Sequence, residues 1–306
     1  MVKQGCLELL ATPFVFGVAT IEEGGTVEFL ENRPTTFSKR QVHRIGSALR
    51  TGQEIDEELY RRILIHQSAL CDHLESLAAS TLNELSVPLE RSTDSVVEPD
   101  SKRFLIGSRV KTRPVLVEKL RRMPSFPLES IQDFSGVRTD FDVTLSEQSR
   151  LAELLAQDLE ERGADRVKIQ DMREKPHSGY RAIHLHIYSP AGRAEFQLRT
   201  ALQSRWANLY ELAGDLYGRG IRYLEFGEHV PLQFETQVRS LHGLSEVVHR
   251  VEKYFDVLSS PFAEHPVETV ELREARLLRQ RTSRMLDRLI SELDRRRTEN
   301  ESEGSK

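Results

Sequence analysis

The sequence predicts an α+β fold, a mixed β-sheet flanked by helices, with helical extensions at both ends. Three observations predict it. Residues 136–216 alternate strand, helix, several strands, helix, which calls for a layered sheet rather than a bundle. Apolar residues recur at helical spacing before this stretch, over 37–85. They do so again after Gly220.

The elements follow in order. Residues 1–34 form an N-terminal extension in which Phe14, Phe16 and Val18 alternate as short strand material before Glu23-Gly24-Gly25. Ser38 followed by Gln41 is a capping box, which opens a helix to about Leu49 that stops before Gly52. A longer helix from about Asp56 to Leu85 places Leu59, Ile63, Leu70, Leu74 and Leu77 on one face. Residues 91–100 are polar and read as a linker. Gly136–Val143 reads as a strand, Leu145–Arg162 as a helix ended by Gly163, and Arg166–Asp171 as a short strand. A loop over Glu174–Gly179 leads into a strand over Tyr180–Ser189. After the turn at 190–193, a strand over Ala194–Thr200 precedes a helix over Ala201–Leu216. Leu241, Leu244, Val248, Val251, Phe255 and Leu258 mark a further helix. Leu278, Thr282, Met285, Leu289 and Leu293 mark the last. The residues from Asn300 read as a disordered tail. The expected organisation is an extension over 1–34, a domain over 35–225 (helices 37–86, core 101–217) and a helical region over 226–306.

Composition narrows the function. The 306 residues carry 43 Lys plus Arg against 48 Asp plus Glu, a formal charge of −5. That excludes a generally basic nucleic-acid coat but not a local basic patch. No apolar run reaches the roughly 18 residues of a membrane helix. Glu8 and Pro13 interrupt the start, so no signal peptide is expected. Cys6 and Cys71 support neither a disulfide framework nor a zinc knuckle. The expected compartment is the cytoplasm.

Three constellations carry chemistry. Residues 101–123 hold Lys102, Arg103, Arg109, Lys111, Arg113, Lys119, Arg121 and Arg122 against Glu118 alone, a local charge of +7. Arg forks and Lys point charges together suit a polyphosphate. Lys111 and Lys119 are eight residues apart and would share a helix face. The plain alternative is a solvated helix face. Next, Asp133 immediately precedes a strand and Glu195 lies inside one. Alternation puts Glu195, Gln197 and Arg199 on one face and Ala194, Phe196 and Leu198 on the other. Two carboxylates converging on a sheet suit Mg²⁺ when phosphates supply further oxygens; taken alone, Glu195 reads more simply as an Arg salt bridge. Last comes Lys175-Pro-His-Ser-Gly-Tyr-Arg-Ala-Ile-His184. Here Tyr180, His184 and His186 share one strand face, and the Tyr180 ring is placed to stack on a base.

In series these motifs are specific: Arg109-x-Lys111, Asp133-Phe-Ser-Gly-Val-Arg138, Ser178-Gly-Tyr-Arg-Ala-Ile-His184, Glu195-Phe-Gln-Leu-Arg-Thr200, then Trp206-Ala207. The series resembles the synthetase domain of the RelA/SpoT family, the small single-domain alarmone synthetases in particular. The resemblance implies a nucleotidyltransferase-like fold. It also implies transfer of the β,γ-pyrophosphate of ATP to the 3′-hydroxyl of GDP or GTP, giving (p)ppGpp and AMP. Arg109, Lys111, Lys119 and Arg138 would then serve ATP, and Asp133 and Glu195 would bind Mg²⁺ as the catalytic pair. Ser178, Tyr180, His184 and Gln197 would face the acceptor. Two departures fall on the acceptor side: Lys175 precedes Pro176 where the family has the reverse order, and Asp171 is followed by Met172 instead of Tyr. They motivate an alternative acceptor, a tRNA 3′ end or an adenosine nucleotide as in toxin-type relatives. A non-catalytic nucleotide sensor is opposed by the intact acid pair. With no His-Asp dipeptide, the family's hydrolase is not expected. The leucine spacing of the last helix suggests self-association, so a homo-oligomer is expected.

Overall fold

A computed structural model describes residues 29–84, 89–223, 231–259 and 268–304. The alternation at Phe14–Val18 and the Glu23–Gly25 turn lie outside the described residues.

Helix α1 (Lys39–Thr51) begins as the sequence predicts. Ser38 accepts from the Gln41 amide, the Gln41 side chain reciprocates, and Gly52 closes the helix in the left-handed conformation. Helix α2 (Glu57–Glu84) buries the predicted face and bridges two cores. Its first half packs with α1 and with Leu116 and Leu120 of α3 (Arg113–Arg122). Its second half, through Leu70, Leu74 and Leu77, covers the sheet.

That sheet has six strands: β1 (Glu90–Arg91), β2 (Arg103–Val110), β3 (Ser135–Phe141), β4 (Arg166–Asp171), β5 (Ile183–Ser189) and β6 (Gly192–Thr200), in the order β1-β2-β3-β6-β5-β4. β3 and β6 pair in parallel, as do β1 and β2, and the other pairs are antiparallel. One face carries Phe104, Ile106, Val137, Phe141, Leu185, Phe196 and Leu198. It packs on α2 and on Leu151, Leu155 and Leu159 of α4 (Leu145–Glu161). Each such side chain contributes about 1.5–3 kcal/mol by leaving water. The opposite face, open over its central strands, carries the polar residues.

Thr200 caps α5 (Ala201–Tyr217) in a capping box with Gln203. Helices α6 (Glu235–Leu258) and α7 (Val270–Gly304) share one apolar core with α5, built on Leu202, Trp206, Leu209, Val248, Val251 and Leu286.

Five expectations need correction. The 101–123 cluster is not one helix: its first half is β2, so Lys111 and Lys119 do not share a helix face. Strand β5 starts at Ile183, and Tyr180 sits outside it in a tight turn. The 91–100 segment is no loose linker. It begins in β1, and the buried Arg205 donates to the Val97 carbonyl at 2.6 Å and pairs with Glu98 at 2.5 Å. In α7 only part of the predicted stripe is covered. Leu278, Met285 and Leu289 are exposed, because the packed stripe uses Leu272, Ala275, Arg279, Thr282, Ser283 and Leu286, half of it polar. Helix α7 also continues past Asn300, where Arg295 and Glu299 pair one turn apart at 3.7 Å.

Candidate active site

Register assembles the site. Arg109, Gly136, Glu195 and His186 form one row across β2, β3, β6 and β5. Gly107, Arg138, Gln197 and His184 form the next row. Residues two apart on a strand point the same way, so both rows share a face. Glycine at 107 and 136 keeps the face low at its centre. A Cβ at Gly136 would meet only the Arg109 carbonyl, at 3.7 Å.

Asp133 stands at the mouth of β3, in a single 3-10 turn over Gln132–Phe134. Lys119 of α3 donates to its Oδ1 at 2.6 Å, and Lys111, just past β2, reaches its Oδ2 at 3.0 Å. The two lysines therefore converge from different elements. Burial opposes the Asp133 charge, but the two ammonium groups hold its pKa below the ordinary carboxylate value. Glu195 lies near enough for its own charge to work against that of Asp133. Burial lowers the Lys111 pKa, and Asp133 partly restores it.

Beside this cluster is a cavity of about 210 Å³, walled by Lys111, Lys119, Asp133, Arg122, Arg219 and Arg222. Val115, Glu118 and Tyr223 complete it; the Arg122 guanidinium lies 4.4 Å over the Tyr223 ring, and Glu118 stands 3.6 Å from Arg122 and 3.8 Å from Arg219. Arg219, Arg222 and Tyr223 belong to a 3-10 turn directly after α5, which the sequence reading passed over. Arg-Gly-Ile-Arg-Tyr was the available signal. Arg109 and Arg138 are not in this wall. Arg109 is exposed at the end of β2, within electrostatic reach of Asp133 and Glu211. Arg138 is buried one row deeper, 3.8 Å from Asp140.

The other half of the face centres on Arg199. Its Nε and Nη2 donate to the Tyr180 hydroxyl at 3.1 and 2.9 Å, and Nη2 also donates to Gln197 Oε1 at 2.8 Å. Gln197 Nε2 in turn donates to Glu195 Oε1 at 2.6 Å. Tyr180 Oη lies 3.0 Å from His184 Nε2, and the Arg199 guanidinium lies 5.0 Å over the Tyr180 ring. One buried guanidinium thus fixes Tyr180 and Gln197 together. Burial opposes ionisation of Glu195, yet hydrogen bonds from His184 and His186 keep its pKa well below the usual range.

The turn before Tyr180 is held from three sides. Ser178 and Gly179 have φ of +50° and +81°, the signature of a type I′ turn between His177 and Tyr180. A Cβ at Gly179 would lie 2.8 Å from the Trp206 ring. Ser178 Oγ donates to the Arg222 carbonyl at 2.7 Å, which ties this turn to the cavity wall and occupies the hydroxyl expected to face an acceptor. From α6, Ser245 donates to the Gly179 carbonyl and Glu246 pairs with Arg181. The indole N–H of Trp206 donates to the Leu241 carbonyl at 2.8 Å.

A cation fits the donor set. Asp133 and Glu195 are hard oxygen donors within electrostatic reach of each other, Asp133 lining a basic cavity, a setting that suits Mg²⁺ held together with phosphate oxygens.

Comparison with known proteins finds relatives of this chain. The family model described as "Region found in RelA / SpoT proteins" matches residues 108–214. That span runs from the end of β2 through α5 and includes every predicted site residue. Uncharacterized protein Rv1366 of Mycobacterium tuberculosis (H37Rv) is 41% identical over 229 residues, covering 72% of this chain and 77% of the relative. Uncharacterized protein Mb1401 of Mycobacterium bovis matches equally. Among solved structures, the small alarmone synthetase 1 from Bacillus subtilis is 23% identical, covering 65% of this chain and 94% of that one, with a TM-score of 0.47. A GTP pyrophosphokinase family protein from Streptococcus pneumoniae is 18% identical, covering 73% and 96%, with a TM-score of 0.46. The matched region contains the whole motif series in order, and the chain belongs to the RelA/SpoT family.

Proposed function

We propose that the chain is a nucleotide pyrophosphokinase that moves the β,γ-pyrophosphate of ATP to the 3′-hydroxyl of GDP or GTP. The observation that carries the reading is Asp133, held by Lys111 and Lys119 at the edge of an arginine-rich cavity and within electrostatic reach of Glu195. Polyphosphate transfer asks a protein mainly for positioning and for cations where charge develops.

In this reading the ATP phosphates enter the cavity and draw the Lys111 and Lys119 ammonium groups from Asp133. Arg122, Arg219 and Arg222 neutralise the remaining phosphate charge. Asp133 and Glu195 would hold Mg²⁺, which neutralises phosphate oxygens and polarises the phosphorus under attack. Arg109, next in the row to Gly136, reaches phosphate from the β2 side. Arg138 is too deep for the cavity and supports the sheet under Gln197. On the other half of the face, Tyr180 offers its ring to the acceptor base and His184 stands near the acceptor's ribose or phosphates. Gln197 fixes the Glu195 carboxylate. Glu195, kept ionised, accepts a hydrogen bond from the incoming 3′-hydroxyl in this reading.

The test is a product assay with γ-labelled ATP and Mg²⁺, offering GDP, GTP, ATP and deacylated tRNA in parallel. Label in a guanosine product with release of AMP is the expected result. Label confined to tRNA or to an adenosine product, or no transfer at all, overturns the assignment.

A further inference from the structure

The reaction proposed above leaves one corner of the sheet unused. Tyr188 of β5 lies directly opposite Arg166 of β4 on one side and Arg193 of β6 on the other. Residues paired in this way share a face of the sheet. The Arg166 guanidinium carbon stands 4.4 Å from the centre of the Tyr188 ring, and that of Arg193 stands 5.1 Å from it. Lys168, two residues along β4 and opposite His186, adds a third cation to the same face. Arg193 also donates to the Ser130 carbonyl at 3.2 Å.

The corner has no matching acid. Among the described residues no carboxylate pairs with Arg166, Lys168 or Arg193. Other arginines of the chain are matched, Arg162 by Asp158, Arg173 by Asp171 and Arg205 by Glu98 and Asp287. The acid in the adjoining row, Glu195, accepts from Gln197 at 2.6 Å and stands against His184 and His186. Glu160 of α4 accepts from the Val167 amide at 2.7 Å, and the Val167 side chain packs on the apolar core.

Three cations held together without an acid repel one another, and a bound anion relieves that repulsion. The Tyr188 ring meanwhile orders two long side chains whose rotamer freedom would otherwise be lost on binding. A guanidinium fork on each side of the ring, with an ammonium close by, is suited to phosphate oxygens. The span sets the size of the ligand. The strand positions of Arg166 and Lys168 are about 7 Å apart along β4, and those of Arg166 and Arg193 about 10 Å apart across β5. One phosphate is too small to meet all three cations, whereas a chain of two or three phosphates reaches them. We propose that Arg166, Lys168 and Arg193, ordered by Tyr188, form a second polyphosphate-binding site. It shares no residue with the wall of the arginine-rich cavity. It also lies at the end of β5 remote from the Tyr180 turn, with about 13 Å of strand between His184 and Tyr188.

The inference does not rest on the proposed reaction, and its test needs no turnover. The full chain is titrated calorimetrically with inorganic tripolyphosphate in the absence of Mg²⁺. The expected result is a binding site that survives Lys119→Ala, which removes a cation of the cavity wall. Arg166→Gln combined with Arg193→Gln, at an unchanged far-UV spectrum, should weaken that site by about tenfold or more. Tyr188→Leu keeps every charge but removes the ring, and should weaken it about threefold or more. Tyr188→Phe, which keeps the ring, should bind as wild type does. No binding by wild type, loss of all binding in Lys119→Ala, or wild-type affinity in either the double variant or Tyr188→Leu overturns the proposal. GDP added to the same titration identifies the source of the phosphates. Displacement assigns the corner to the 5′-phosphates of a nucleotide, and retention assigns it to a free polyphosphate anion. A failed product assay would leave these measurements unaffected.

Discussion

Arg199 shows how much a single side chain can organise. Its planar fork holds the Tyr180 hydroxyl and the Gln197 amide at once, and Gln197 passes the constraint to Glu195. Lysine has the charge but not the fork. Arg199→Lys should therefore raise the acceptor KM about tenfold, or about 1.4 kcal/mol, with the ATP KM unchanged. Steady-state kinetics with each substrate varied in turn checks this. Asp133→Asn removes the partner of Lys111 and Lys119 without changing volume. Loss of one preorganised electrostatic group typically costs about 10²–10³ in kcat, and that is the expected fall here. Circular dichroism should stay unchanged. Lys119→Ala should instead raise the ATP KM and leave acceptor binding intact, since Lys119 stands on the cavity side of Asp133.

At the scale of elements, the turn at Ser178–Gly179 is where α5 and α6 meet the sheet. Gly179 has φ +81° and its missing Cβ leaves room for Trp206. Gly179→Ala combines backbone strain with that contact and should destabilise the fold by more than about 1 kcal/mol. Urea denaturation measures it, and the acceptor KM should rise in parallel. The elements legible in the sequence are those whose instructions are local. Ser38 with Gln41 announces α1, the leucine spacing marks α2, and the alternation of Glu195, Gln197 and Arg199 assigns the faces of β6. What escaped was set by distant partners. The 92–100 segment is ordered by Arg205 from α5 and by Arg279 and Gln280 from α7, which are invisible in its own composition. The buried stripe of α7 includes Arg279, Thr282 and Ser283, so an apolar count picks residues that stay exposed. Lys111 and Lys119 do meet, but through a common acid rather than a common helix. Arg219 and Arg222 were missed because a short 3-10 turn has no periodicity to detect.

Across the whole molecule, charge placement sets the response to pH. Glu252 of α6 is buried against Thr200 and Gln203, and burial pushes its pKa up to about 7 from 4.5. The folded chain therefore holds this proton more tightly than the unfolded one. Its stabilising contribution is complete below about pH 4.5 and is lost as pH rises through about 7. At about 1.4 kcal/mol per pKa unit, the loss is on the order of 3 kcal/mol. Thermal unfolding at pH 5.5 and pH 8 should show the decline. Glu252→Gln, which mimics the protonated form, should abolish that component and raise Tm at pH 8. An unchanged pH dependence in the variant would show that other groups govern it. Among the described residues no helix is long and apolar enough to cross a membrane.

The clamp of α6 on the Gly179 turn also bears on how the protein is made. Thr200 and Glu252, which join at the base of the site, are 52 residues apart in the chain. Synthesis proceeds at about 5–20 residues per second, so roughly 3–10 s separate their appearance on the ribosome. During that interval Asp133 and the strand carrying Glu195 already exist, while the turn before Tyr180 lacks its Ser245 anchor and Trp206 beside it lacks the Leu241 carbonyl. A nascent chain therefore forms the half of the face around Asp133 before the half around Tyr180, and the turn matures only after the sheet beneath it.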